Sequence, residues 1–180
     1  MSDLNKLNGT YVIDPSHSSI GFVARHAMVT KVRGVFNEFD GKATTGENLE
    51  GASIDVTIQV ASVDTRNSDR DAHLHSADFF DAEKYPTITF KSTEVTGKGD
   101  SLQVIGDLTI KDVTKSVTID FDYEGGATDP FGNERVGFEG KTVVKRADFG
   151  LTWNAALEAG GVLVSDKVTL EFDISAIKQA

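Results

Sequence analysis

Along most of this chain apolar and polar residues alternate with a period of two. The cleanest case is residues 52–63, where Ile54, Val56, Ile58 and Val60 are set against Ser53, Asp55, Thr57 and Gln59. A strand with that pattern has one apolar and one wet face. The same alternation predicts strands over residues 11–14, 18–26, 32–43, 87–96, 101–110, 117–123, 135–146 and 168–175, eight or nine in all. Pro15 stops the first. Turn signals fall at residues 46–51, 97–100, 111–114 and 125–133.

Residues 63–90 break this rhythm. Asp64 or Thr65 can cap a short helix, and residues 66–75 hold no proline or glycine and only Ala72 and Leu74 as apolar members. A polar, surface-facing helical piece anchored by Leu74 is therefore predicted. Phe79 and Phe80 add an aromatic anchor, and Pro86 ends any helix before residues 87–90 resume a strand. Long insertions of this kind cap or line something. A second long connection, residues 147–166, carries Phe149, Leu151 and the single tryptophan, Trp153.

No amphipathic helix is long enough for a βαβ unit, so the apolar sheet face must be buried against another sheet or within a closed one. Glycines inside several strands (Gly34, Gly41, Gly106, Gly137, Gly140) favour closure, and at Gly34 and Gly41 they suggest bulges or close backbone approach. The expectation is an all-β antiparallel barrel. No repeat or linker divides it, so residues 1–180 form one domain with its core over about residues 10–177.

Charge narrows the partners. A net charge of −10 gives no electrostatic footprint for nucleic acid. The absence of cysteine removes disulfides and thiolate chemistry. No window is apolar enough for a membrane span, and the N-terminal residues have no signal-peptide pattern, so a cytoplasmic protein is expected.

Candidate chemistry is sparse. His73 and His75, two apart, fall on different faces of a helix, and no ligand spacing joins them to His17 or His26, so no metal is expected. Ser16, His17 and Ser18 are too local for a triad, and no nucleophile elbow is present. The pairs Asp69/Asp71 and Glu38/Asp40 suit a solvated face. Arg66 and Arg70 with Asp69 and Asp71 are expected to knit the insertion to the barrel rim. Neither cofactor nor catalysis is called for. An eight-stranded barrel is about the smallest that can hold a ligand, and from composition the eleven phenylalanines fit a self-filled core equally well.

The motifs then add up to a family. They are Tyr11-Val12-Ile13-Asp14-Pro15-Ser16-His17-Ser18, Arg25-His26-Ala27-Met28-Val29 and Val32-Arg33-Gly34-Val35-Phe36. Most specific are Val63-Asp64-Thr65, Arg70-Asp71-Ala72-His73-Leu74, Asp78-Phe79-Phe80-Asp81 and Tyr85-Pro86-Thr87-Ile88-Thr89-Phe90. Gly106-Asp107-Leu108-Thr109-Ile110, Val113-Thr114-Lys115 and Arg146-Ala147-Asp148-Phe149-Gly150-Leu151 complete the set. The chain resembles the YceI-like proteins, lipocalin-like barrels named for polyisoprenoid binding, over roughly residues 10 to 177.

That resemblance implies an extended eight-stranded lipocalin-like β-barrel with a short helical insertion and an apolar tunnel. The tunnel would take a long isoprenoid, such as a quinone or its precursor, as carrier, store or scavenger. By alternation the lining comprises Ile20, Phe22, Phe36, Ile58, Phe90, Phe121, Phe138 and Phe172. Leu74, Phe79, Phe149 and Trp153 would come from the two connections that close the ends. His26, in register with Ile20 and Phe22, or Arg25, is the expected head-group contact. The alternatives are an enzyme using His26, His73 or an acidic partner at the mouth, and a self-filled barrel acting through its surface or as a homodimer. Many relatives in the resemblance are secreted or periplasmic, whereas this chain shows no export signal.

Overall fold

Strands β1 (Gly9–Ile13) and β2 (Ser19–His26) pair with the two halves of one partner, the last strand β11 (Lys167–Lys178). The structure is a computed structural model and describes residues 3–157 and 163–180. In the same way β3 (Thr30–Phe36) leads into β4 (Phe39–Thr45), and β5 (Ser53–Gln59) into the short β6 (Val63–Asp64). These three interrupted strands join the unbroken β7 (Thr87–Lys98), β8 (Ser101–Ile110), β9 (Val113–Thr128), β10 (Glu134–Lys145) and β11. The result is an eight-stranded antiparallel barrel, closed where β1 bridges β4 and β11.

The expected single strands over residues 32–43 and 52–63 are thus broken, at Asn37–Glu38 and at Val60–Ser62. Each break changes which residues face inward. Phe36 and Phe39 are both buried, as are Val60 and Val63. A three-residue step replaces the two-residue one there, as a 3₁₀ turn does between Val60 and Ser62. Pairing survives the kink, since Asn37 N–H donates to Ser62 O at 3.1 Å and Gln59 N–H to Glu38 O at 2.9 Å. At the Pro15 break the Ser18 hydroxyl donates to Ser175 O (3.1 Å) and accepts from Ser175 N–H (2.9 Å). It replaces the ladder bonds that the bent backbone cannot make.

Gly34 and Gly41 lie at no register shift, whereas Gly106 pairs with Ser92 beside the bulge between Ser92 and Glu94; each of the three receives a neighbour's large apolar side chain where its Cβ would stand. Close approach is their role. The expected loop over residues 125–133 is shorter, because β9 runs on to Thr128 and only Asp129–Asn133 reverse the chain. Asp129 organises that turn, its carboxylate accepting from Phe131 N–H (2.8 Å), Asn133 N–H (3.0 Å) and Arg135 Nε (2.7 Å).

Helix α1 (Ser68–His75) begins later than predicted and is capped by Asn67, whose Oδ1 accepts from Arg70 N–H at 3.0 Å. Neither Asp64 nor Thr65 caps it. Thr65 is buried and donates both its N–H and its hydroxyl to Asp71 Oδ1, at 2.8 and 2.6 Å. Asp64 accepts Arg66 N–H at 2.8 Å, where Arg66 takes a left-handed φ of 65° and turns the chain. Arg70 donates to Thr65 Oγ1 (2.8 Å) and O (2.7 Å), so Arg70 and Asp71 do the knitting expected of four residues.

Both long connections close the same end. The Trp153 ring lies 4.7 Å from His73 and 5.4 Å from Phe79, centroid to centroid. Residues 158–162 of the second connection lie outside the described residues. Arg146 holds that connection, donating to Leu151 O (2.7 Å), Trp153 O (2.8 Å), Ser165 O (2.8 Å) and Val164 O (3.2 Å). The opposite end is covered by an N-terminal 3₁₀ turn, Asp3–Lys6, whose Leu4 is fully buried with Leu102 and Val104.

Candidate functional site

Inward-facing side chains do not fill the barrel. They enclose a cavity of about 290 Å³, roughly twenty times the volume one buried water needs. Leu4 and Leu102 line it near one end, Phe149 and Leu151 near the other. Leu102 and Ile110, at opposite ends of β8, both border it. At roughly 3.3 Å per residue and a strand tilt of about 40°, the cavity therefore runs ~20 Å along the barrel axis. It is long and narrow, with a wall that is hydrocarbon almost throughout.

Phe22 and Phe36 form one side of the wall, with ring centroids 5.8 Å apart, and Phe80 meets Phe36 at 5.9 Å. Phe121 packs on Phe172 at 5.8 Å and on Phe138 at 6.4 Å. Ile20, Ile58 and Phe90 complete the lining residues expected from the strands, and Leu74, Phe79 and Phe149 reach the cavity from the connections.

Three expected residues stand off the wall. Trp153 packs behind it, against His73 and Phe79. His26 keeps the register of Ile20 and Phe22, but the β2–β3 hairpin outruns the cavity, so Ala24 is the last inward residue and His26 is exposed. Arg25 is exposed as well. Sequence reasoning missed the N-terminal turn. Leu4 and Leu7, three apart in an otherwise polar segment, carried the signal, and both line the cavity with Leu49 of the β4–β5 connection.

Polar chemistry lies outside the wall, except for Tyr11, Arg146 and a few residues of the β4–β5 hairpin such as Lys42 and Ser53. Burial pushes the Arg146 guanidinium below its ordinary pKa, opposed by the charge of Asp166. Its donors are directed to the four backbone carbonyls, so it brings its stem to the cavity (a packing role). At the Pro15 break, the Asp14 carboxylate accepts from the Ser16 hydroxyl (2.7 Å), Arg135 (2.8 Å) and His17 Nδ1 (2.9 Å). Those hydrogen bonds, Ser16's first, hold Asp14 well below the usual carboxylate range. Arg135 does the same to Asp129. Although Ser16, His17 and Asp14 meet, the hydroxyl is 3.0 Å from Nδ1, the nitrogen already beside the carboxylate. A triad requires the far ring nitrogen. The other histidine–carboxylate pair, His73 Nε2 and Asp78 at 2.9 Å, also stands off the cavity wall. His75 shares α1 with His73, and its Nε2 is buried without a hydrogen-bond partner.

Comparison with known proteins places this barrel. The family described as YceI-like domain matches residues 11–176. A UPF0312 protein of Pseudomonas aeruginosa (strain LESB58) is 41% identical over 172 residues, covering 94% of this chain and 87% of its own. Burkholderia cenocepacia BcnA superposes with a TM-score of 0.79 at 25% identity, over 91% of this chain and 98% of that one. A structure described as a polyisoprenoid binding domain from Saccharophagus degradans shares the fold, with a TM-score of 0.71 at 15% identity over 94% of this chain and 98% of that one.

Proposed function

The chain belongs to the YceI-like family, and we propose that it binds one long isoprenoid or similar amphiphilic chain inside the barrel, as carrier, store or scavenger. The long hydrocarbon-walled cavity carries this reading. On the scale of about 24 cal/mol per Å³, the walls of a 290 Å³ cavity forgo on the order of 7 kcal/mol of packing when nothing fills it. A flexible apolar chain restores those contacts and gains roughly 25 cal/mol for each Å² it withdraws from water. The polyisoprenoid binding of the Saccharophagus degradans domain supports the ligand class.

With so little polarity in the wall, the interaction is with the chain and the head group stays near an end. Phe22, Phe36, Phe121 and Phe172 would make the main contacts. Nothing in this reading needs a cofactor or a reacting group. Catalysis on a bound amphiphile would need a histidine and a carboxylate together at the cavity, and His17–Asp14 and His73–Asp78 both lie off its wall.

The test is mass spectrometry of an organic extract of the purified protein, with native mass spectrometry of the intact complex. A stoichiometric polyprenyl or quinone species is expected. A folded barrel that yields no such species, and takes none up when polyprenols are added, would refute the reading.

A further inference from the structure

The apex of the β2–β3 hairpin is unlike the rest of the surface. Met28 is 62% exposed and Val29 is 73% exposed, side by side in the turn. Ala27 and Met28 take left-handed φ values of 49° and 65°, a turn that favours asparagine and glycine. A bulky thioether in that backbone costs both strain and solubility. Strain retained in this way points toward function.

Charge singles out the same place. In a chain of net charge −10, no aspartate or glutamate occurs between Asp14 and Glu38, while Arg25, Lys31 and Arg33 flank the apex. All three are exposed. Arg33 alone has an ion pair among the described residues, a loose 3.5 Å contact with Glu171. Among the described residues the Arg25 guanidinium reaches Val29 O, at 3.4 Å. Asp166, next to the Ser165 that hydrogen-bonds the Arg25 backbone, accepts from Ala147 N–H at 3.2 Å and offsets the Arg146 charge, and more distant acidic residues are screened by salt beyond about 8 Å.

We propose that this hairpin apex docks on an anionic lipid bilayer. Met28 and Val29 enter the headgroup boundary, and Arg25, Lys31 and Arg33 lie against lipid phosphates. A convex two-residue apex offers far less than the ~1,200 Å² that a stable protein interface buries, whereas a bilayer needs no complementary surface. A second exposed apolar apex among the described residues makes the contrast. Phe131 is 89% exposed, but it sits between Asp129 and Glu134, and Arg135 beside them is committed to Asp14 and Asp129. An anionic surface repels that end. The basic hairpin also reaches the cavity, since it contributes Ala24 to the wall and bridges His26 to Val164, another wall residue.

Vesicle flotation of the full chain tests this without reference to the cavity ligand. Mixed phosphatidylglycerol–phosphatidylcholine vesicles are compared with pure phosphatidylcholine at low and high salt. The protein should float with the anionic vesicles at low salt only. Arg25→Glu and Lys31→Glu should each weaken binding roughly fivefold or more, and Met28→Asn with Val29→Ser roughly tenfold. Phe131→Ser should leave it unchanged. Circular dichroism confirms that each variant is folded, which these exposed positions permit. Absence of flotation, equal binding by the hairpin variants, or loss on Phe131→Ser overturns the proposal. Self-association that Met28→Asn with Val29→Ser abolishes, without vesicle binding, would assign the apex to a second copy instead.

Discussion

The ring of Phe22 lies where a side chain on Gly34 would begin. A Cβ on Gly34 would stand 2.3 Å from Phe22 Cζ, and the two residues face each other across β2 and β3. Phe121 occupies the same position over Gly140, and Phe90, the register partner of Leu108, lies diagonally over Gly106. Three wall phenylalanines thus lie down on a neighbouring strand. Glycine at those positions keeps the lumen open, because a ring lying on the wall does not cross it.

Gly34→Ala should therefore push the Phe22 ring into the cavity. The expected stability cost is about 1–3 kcal/mol, the usual range for overpacking, with weaker ligand uptake. Phe22→Leu in the Gly34→Ala background should recover part of both losses. Denaturant unfolding and ligand titration of the single and double variants measure that coupling.

Leu4 is fully buried between Leu102 and Val104 and closes one end of the cavity. Leu4→Ala should cost about 3 kcal/mol and speed exchange of the bound chain. Stopped-flow displacement of a fluorescent lipid reads the exchange rate. An unchanged rate would place ligand passage at the other end.

Arg146 serves four carbonyls of the second connection. Arg146→Met preserves the stem and strands those acceptors, so stability should fall by about 3 kcal/mol or more. Hydrogen exchange should rise first near Leu151 and Val164. Uniform exchange across the barrel would contradict the local role.

Acid should act through Asp14 and Asp129, both held below the ordinary carboxylate range by hydrogen bonds that include Arg135's. Depressed carboxylates mean that the unfolded chain binds more protons than the folded one in acid. Their stabilisation is complete above the unfolded pKa of about 4 and is lost as pH falls below it. Arg135→Met should lower the melting temperature at neutral pH and flatten its decline below about pH 4. Parallel melting curves against pH would contradict this.

Much of the fold was legible because one buried sheet face imposes a period of two, and Ile54, Val56 and Ile58 display it without interruption. The breaks at Asn37 and after Gln59 were hidden, since a bend at the first and a 3₁₀ step at the second change the inward set without a proline or glycine to mark them. Alternation reached the wall at Phe22 and Phe121 but overshot at His26, because periodicity does not say where a hairpin leaves the barrel. Asn67 as helix cap was masked by Asp64 and Thr65, two earlier residues of equal capping chemistry. Leu4 and Leu7 marked an apolar turn in a polar segment, but where that turn docks depends on the contact of Leu4 with Leu102, nearly a hundred positions away, which a local pattern does not place.

The central claim is that a hydrocarbon-walled cavity binds a chain and reads little of its head. Native mass spectrometry with two ligand series tests it most directly, one varying prenyl length at constant head, the other varying head at constant length. Affinity should rise with length, by up to about 0.8 kcal/mol for each buried CH₂ group, level off once the cavity is full, and change little with the head. Affinity that follows the head group and ignores chain length would contradict it.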